Sequence, residues 1–295
     1  MIPSSHIFEG TADNYPFKNE LSKEDLEGFG VQSFDEELLQ WMNRSHNAEQ
    51  ASRCIQEAAN LGFDQLSIDL IYGIPALSAE SWQQELETVL SLPIQHLSAY
   101  SLTLAPKTAY AHQVNKGESK APSDQLAEAH YRLLIEQIEV AGWEQYEVSN
   151  FCRDGLYSKH NTAYWQGVPY LGIGPSAHSF NGEERSWNVS SNAAYIDRIS
   201  KGESLAEKEV LSAADKVNEY LLTSLRTKWG LDLKHLNEEL NYRWNRGQVE
   251  LISSYMDRAW MLKESGGLKL SQEGLLFADH ISASLFIDHS SHMSS

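Results

Sequence analysis

Cysteine is nearly absent: Cys54 and Cys152 are the only two in 295 residues. Two isolated thiols exclude a disulfide scaffold and fall short of the set of thiolates that an iron–sulfur cluster takes. Cys54 falls on the apolar face of an expected helix, where a thiol behaves as a small hydrophobe, and Cys152 stands alone beside Arg153, so both read as structural. Cations are scarce too, with 23 Lys and Arg against 41 Asp and Glu, a net charge of -18 and a pI near 5.0. Such a surface repels phosphate backbones, which argues against general nucleic-acid binding. No apolar run approaches the ~18 residues of a membrane span, and the first residues carry no basic or apolar export signal. The expected address is therefore the cytoplasm. A P-loop, a zinc spacing and a Ser-His-Asp order are all missing as well.

What is present is core-forming material. Hydrophobic residues make up 41% of the chain, with 8 Trp and 13 Tyr, which suit a large core or a planar ligand. The organising stretch is Leu66-Ser67-Ile68-Asp69-Leu70-Ile71-Tyr72-Gly73-Ile74-Pro75, a short apolar run closed by Gly and Pro. It reads as a strand buried on both faces. Asp69 breaks it. A carboxylate there either aims into a ligand pocket at the carboxyl end of a parallel strand or is satisfied by backbone amides or an Arg.

Residues 1–28 hold no sustained period and read as irregular. Residues 30–33 look like the end of a strand. A capping box at Ser33 to Glu36 then opens a helix with Leu38, Leu39 and Met42 inward. Asn47 to Gln50 is a second box, and its helix carries Ala51, Cys54, Ile55 and Ala58 and ends at Gly62. After the strand at 66–72, Ser78 caps a helix with Trp82, Leu86, Val89 and Leu90 on one face. A strand at 96–104, a loop, a helix opened by Ser123 and a third strand at 143–151 follow. This alternation is the right-handed parallel crossover pattern of a barrel or a doubly wound sheet. Its carboxyl ends should gather Gln32, Asp69, Thr103 and Asn150 on one side. Helix is expected again at 193–201, then a polar linker at 202–209. A helical region from Ser212 has helices at 248–264 and 272–281 around a hairpin-like wing at 266–271, a winged-helix pattern. The residues from His289 onward read as a disordered tail.

His160 and Tyr164 lie four apart, so a helix would place them on one face. The imidazole suits a metal or haem iron, or simply caps a neighbouring element, and His178 carries the same two readings. The run from Gly172 through Gly174, Pro175 and Ser176 to His178 permits close backbone approach and positive φ without being a dinucleotide fingerprint.

These residues carry a resemblance. The runs at 30–35, 41–48, 67–75, 97–103, 146–151, 160–165, 172–179 and 218–227 are similar, in order, to the HemW group of oxygen-independent coproporphyrinogen III oxidase-like radical SAM proteins, regarded as haem chaperones. The resemblance implies a partial parallel α/β barrel of the TIM-like radical SAM kind over 29–190, and a C-terminal helical, winged-helix-like domain over 191–288. It implies S-adenosylmethionine contacts at Gln32, Arg44, Asp69 and Thr103. It implies haem or substrate handling by His160, Asn161, Tyr164, Trp165, Gly172, Gly174 and His178. The family pairs S-adenosylmethionine with a [4Fe–4S] cluster, but its Cys-x-x-x-Cys-x-x-Cys run and Gly-Gly-Gly-Thr-Pro loop do not occur in this sequence. No metal ligand set is therefore expected, and the chain reads as an N-terminally truncated member without radical chemistry. Haem, a haem-acceptor protein and a second copy of the chain are the expected partners. Anaerobic coproporphyrinogen III dehydrogenase activity and a non-catalytic interaction module stand as alternatives.

Overall fold

A computed structural model describes residues 27–264 and 266–288. The chain divides into two compact units between Ser158 and Lys159. This division follows compactness, whereas the expected one at 190 follows a change of composition. Most of the expected irregular segment and the expected disordered tail lie outside the described residues. Residues 27 and 28 belong to the first strand.

The first unit runs β1 (Glu27–Gln32), α1 (Glu36–Trp41), α2 (Ala48–Asn60), β2 (Leu66–Tyr72), α3 (Ala79–Ser91) and β3 (His96–Ser101). It continues with α4 (Ala109–Asn115), α5 (Asp124–Val140), β4 (Glu144–Glu147) and β5 (Asn150–Cys152). Local chemistry explains most boundaries. Asn47 and Gln50 close the expected capping box on α2, and Ser78 and Ser123 cap α3 and α5. The first helix differs from expectation. Asp35 is its cap, accepting from Glu37 N at 2.8 Å and Leu38 N at 3.1 Å, because the Ser33 hydroxyl is buried and donates to Glu85.

The sheet order is β1-β2-β3-β5-β4, with β1, β2 and β3 parallel. The parallel neighbours follow one another in chain order, and connections of the usual right hand would send α2 and α3 to one face of the sheet. Leu66, Ile68, Leu70 and Tyr72 face the helices. Trp82 of α3 packs 5.9 Å from Tyr72, and its indole N–H donates to His130 O on α5 at 2.9 Å.

Three expectations on this sheet are corrected. The strand at 96–104 stops at Ser101, which leaves Thr103 in an exposed loop. The following loop contains α4, capped by Thr108. The third parallel strand at 143–151 is instead a hairpin, in which β5 turns back antiparallel to both β4 and β3. The Glu147 carboxylate closes that turn by accepting from Ser149 N at 2.9 Å and Asn150 Nδ2 at 2.5 Å.

The second unit holds α6 (Lys159–Trp165), β6 (His178–Phe180), β7 (Glu184–Asn188), α7 (Asn192–Lys201), β8 (Ala206–Val210) and α8 (Ala213–Leu225). Then come β9 (Leu231–Asp232), a π-helical turn at His235–Glu239, α9 (Arg246–Asp257), β10 (Met261–Glu264), β11 (Gly267–Leu270), α10 (Gln272–Leu275) and α11 (Ala278–Ser284). Its two antiparallel sheets are β6-β7-β8 and β10-β11-β9. The expected linker therefore contains an edge strand, β8. The expected helix at 248–264 ends at Asp257, and Ala259, with a left-handed φ of 56°, turns the chain into β10. The helix expected at 272–281 is two short helices broken at Leu276 and Phe277. Val217, Leu221, Leu225, Leu236, Ile281 and Leu285 form the core of this unit. From 159 to 210, by contrast, no side chain is fully buried, and Leu171 and Ile173 are 80% and 82% exposed.

No helix among the described residues is long and apolar enough to cross a membrane. Trp82 is fully buried and tied to His130, so Trp82→Ala is expected to cost about 3–5 kcal/mol, read as a fall in the urea midpoint.

Candidate functional site

Two groups of expected site residues assemble, one in each unit. In the first, β1 ends on Gln32, whose φ of 71° puts a non-glycine residue in the left-handed region. Arg44, between α1 and α2, folds back and donates from Nη2 to Gly30 O at 2.8 Å, and the His46 ring meets Val31 O at 3.1 Å. Arg44 Nε is buried without a hydrogen-bond partner. Gln32 pairs with Leu70 on β2, so Asp69 lies on the neighbouring strand within one residue of that register. Thr103 sits apart from these three in its exposed loop, beyond the end of β3.

By strand alternation Asp69 faces the side of the sheet opposite Ile68 and Leu70. Burial pushes its carboxyl up to about 6, against a smaller lowering influence from the Ser98 hydroxyl. Across the sheet, Asp69 is in register with Ser98, Ser98 with Asn150, and Asn150 with Glu147. One strand position away, His96 Nδ1 meets Ser67 Oγ at 2.7 Å and its Nε2 meets the Tyr146 hydroxyl at 2.7 Å. Burial pushes that imidazole down to about 3, so His96 is neutral.

Sequence reasoning missed Glu85. It lies on α3 three residues after Trp82, on the same stripe, and is buried. Its Oε1 accepts from Ser33, the residue after Gln32, while Oε2 has no partner. A charged residue at helical spacing inside an apolar stripe was the available signal.

In the second unit, α6 brings the His160 and Tyr164 rings edge to face at 4.8 Å. Tyr164 packs tilted against Tyr170 with ring centroids 4.6 Å apart, and Tyr170 lies 6.2 Å from Phe180 on β6. His178, two residues before Phe180 on the same face of β6, lies 6.2 Å from Trp187 on β7. His160 thus heads one aromatic run, and His178 belongs to a separate pair with Trp187. Both histidines are exposed, and among the described residues neither ring has a hydrogen-bond partner. Trp165 carries the Arg226 guanidinium 5.3 Å over its ring, and Asn161 is half-buried. Gly172 and Gly174 serve different ends. A Cβ on Gly172 would collide with the backbone of His178, whereas Gly174 adopts a φ of 105°. Asn188 Nδ2 donates to Gly174 O at 2.9 Å and the Tyr195 hydroxyl accepts from Gly174 N at 3.1 Å, which pins the turn. A cavity of about 370 Å³ opens beside His178, walled by Trp187, Asn188, Ser191 and Glu207.

Among the described residues no group of three or more His, Cys, Asp or Glu could hold a metal ion. Cys152 is buried in β5, and burial also raises the half-buried Cys54 thiol, so this donor set does not fit an iron–sulfur cluster.

No family model matches the chain. Among curated proteins it is 28% identical to the heme chaperone HemW of Bacillus subtilis over 290 residues, covering 95% of this chain and 76% of that one. It is 33% identical to the heme chaperone HemW of Mycobacterium tuberculosis over 254 residues, covering 85% of this chain and 63% of the relative. A mitochondrial radical S-adenosyl methionine domain-containing protein 1 of Bos taurus is 32% identical over 268 residues, with 87% and 61% covered. The chain thus spans less than two thirds of the length of several such relatives. Among solved structures, the coproporphyrinogen III oxidase HemN of Escherichia coli, a radical SAM enzyme, aligns with a TM-score of 0.73 at 20% identity over 91% of this chain and 68% of that one. That likeness concerns the fold alone.

The buried carboxyls set a pH dependence. Burial raises Glu85 from its ordinary 4.5 to about 7, so the folded state keeps a proton that the unfolded chain releases. Its contribution is complete below about pH 4.5 and is lost as the pH rises to about 7. Asp69 acts with the same sign between 3.8 and about 6. Glu85→Gln should flatten the fall in urea midpoint across that window, and an unchanged slope would remove Glu85 from the account.

Proposed function

The chain belongs to the HemW-type family of radical SAM, coproporphyrinogen oxidase-like proteins, and from that membership we propose that it is a haem chaperone-like protein. In this reading the second unit takes haem as cargo and the first retains a pocket for S-adenosylmethionine. The observation that carries it is the exposed His160 ring at the head of the aromatic run through Tyr164, Tyr170 and Phe180. A neutral imidazole with free nitrogens can ligate iron, and flat aromatic rings offer the apolar surface that a macrocycle needs. His178 is a second candidate ligand, and Gly172 and Gly174 allow the backbone to approach closely. Transfer of haem to an acceptor protein is the purpose this reading supplies.

For S-adenosylmethionine, the fit rests on the partnerless Arg44 Nε and the raised Asp69 carboxyl beside Gln32. Arg44 would pair with the ligand carboxylate, Asp69 would hydrogen-bond its ribose or amino acid end, and Gln32 would contribute its amide. Thr103 is the outlying member of the set. In complete family members the bound cofactor supplies a radical once a [4Fe–4S] cluster delivers an electron. The thiols in this chain do not fit that cluster, and no radical step is derived for it. We also read the α8, β9, α9, β10 and β11 succession as winged-helix-like, with a surface of mixed charge suited to packing or to a protein partner.

Haem added to the purified protein should produce a Soret band, and His160→Ala should weaken haem affinity about tenfold or more. His178→Ala in parallel separates the two candidate ligands. A protein that yields no Soret band on haem titration removes haem from the account.

A further inference from the structure

Gln32 combines a strained backbone with a side chain that the fold does not use. Its φ of 71° lies in the left-handed region, where a side chain crowds its own backbone. The residue is half-buried, and its amide makes no hydrogen bond to any described residue. A conformation of this kind persists only where neighbours fix it, and it accompanies positions that present a side chain in one direction.

Contacts fix Gln32 from both sides. Upstream, the His46 ring meets Val31 O at 3.1 Å and Arg44 Nη2 donates to Gly30 O at 2.8 Å, which orients the peptides leading into Gln32. Downstream, the hold comes through Ser33, which is fully buried. Its hydroxyl accepts from Asp35 N at 3.0 Å and donates its one proton to Glu85 Oε1, on α3 and 52 residues further along the chain. Ser33 follows Gln32 directly. Returning Gln32 to an extended conformation would swing the Ser33 side chain away and take its hydroxyl off the carboxyl. Both groups are buried, so the bond lost is at least comparable with the strain relieved.

We propose that Glu85 is a positioning residue, which through Ser33 holds Gln32 in its left-handed conformation and so sets the direction in which the Gln32 amide meets a ligand. This deepens the S-adenosylmethionine reading of the same site and rests on it only for the identity of the ligand. An amide carries donors at one end and an acceptor at the other, so its direction decides which ligand atoms it can satisfy. Neutral or ionised, the Glu85 carboxyl keeps a lone pair for Ser33, so the hold does not depend on its charge.

Substitutions in the full chain test the role. Glu85→Gln keeps a carbonyl oxygen for Ser33, and its amide nitrogen replaces Oε2, which has no partner. Glu85→Leu and Ser33→Ala each remove the bond. Val89→Ala, on the buried face of the same helix, loosens α3 without touching the turn and serves as the control. Without ligand, NMR on protein labelled at glutamine reads the distance between the Gln32 amide and α protons, which is short at positive φ and longer in extended backbone. It should lengthen in Glu85→Leu and in Ser33→Ala, and stay short in the wild type, Glu85→Gln and Val89→Ala. A short distance kept in either bond-removing variant, once circular dichroism shows it folded, overturns the role. Lengthening in Glu85→Gln or Val89→Ala overturns it as well.

S-adenosylmethionine affinity, measured by calorimetry, forms a separate arm. Binding should weaken about tenfold in Glu85→Leu and in Ser33→Ala, and stay within about threefold of the wild type in Glu85→Gln. The double variant should lose no more than either single one, because both remove the same bond. Equal loss in Glu85→Gln and Glu85→Leu overturns the positioning role. A wild-type protein that does not bind refutes the ligand assignment, while the proton distance still judges Glu85.

Discussion

Three parallel strands laid down in sequential order can send right-handed connections to only one side of their sheet. That constraint shapes the first unit. The helix-facing side is filled by Leu66, Ile68, Leu70, Tyr72, Leu97 and Phe151, and Trp82 closes it from α3. The other side receives no helix from these connections and is polar. Ser67, His96 and Tyr146 satisfy one another there, and Asp69, Ser98, Asn150 and Glu147 form the adjoining line. Burying so many polar atoms is tolerable only because strand register sets partners opposite one another at hydrogen-bond distance. The same antiparallel hairpin that departs from the expected parallel strand supplies three of those partners, Tyr146, Glu147 and Asn150.

The turn after β1 is the other place where the structure holds an unfavourable state. A left-handed glutamine costs roughly 1–2 kcal/mol. Three neighbours stabilise it: Glu85 takes the Ser33 hydroxyl, Arg44 takes the Gly30 carbonyl, and His46 takes that of Val31. Gln32 and Arg44 are thereby brought to one place although a helix separates them in sequence. Backbone strain at such a position accompanies sites that must present a side chain in one direction.

Much of this was legible where the signal is local. Asn47 with Gln50, Ser78 and Ser123 announce their helices because each cap bonds to backbone two or three residues away. The strand at 66–72 is a clean apolar run, and the spacing of His160 and Tyr164 requires only one helical turn. What escaped depends on distant partners. The 143–151 segment looks continuous, and only the Glu147 carboxylate folding onto Ser149 and Asn150 reveals the reversal. β8 is polar and exposed along nearly its whole length, so it carries no buried alternation to read. Glu85 vanished because an apolar stripe is counted by its apolar members. Ser33 lost its role as a helix cap to that same unseen carboxyl. Thr103 was placed by extending β3 through Leu102, which does bond to Tyr72 O at 2.8 Å, but the strand itself stops at Ser101.

The stretch from 159 to 210 contains two helices, a three-stranded sheet and the whole aromatic run, yet not one of its side chains is withdrawn from water as a core residue is. Segments anchored so lightly open at a small fraction of the free energy of global unfolding, and their amides exchange with solvent first. Local opening of 159–210 can then occur while the helical core of 211–288 stays closed.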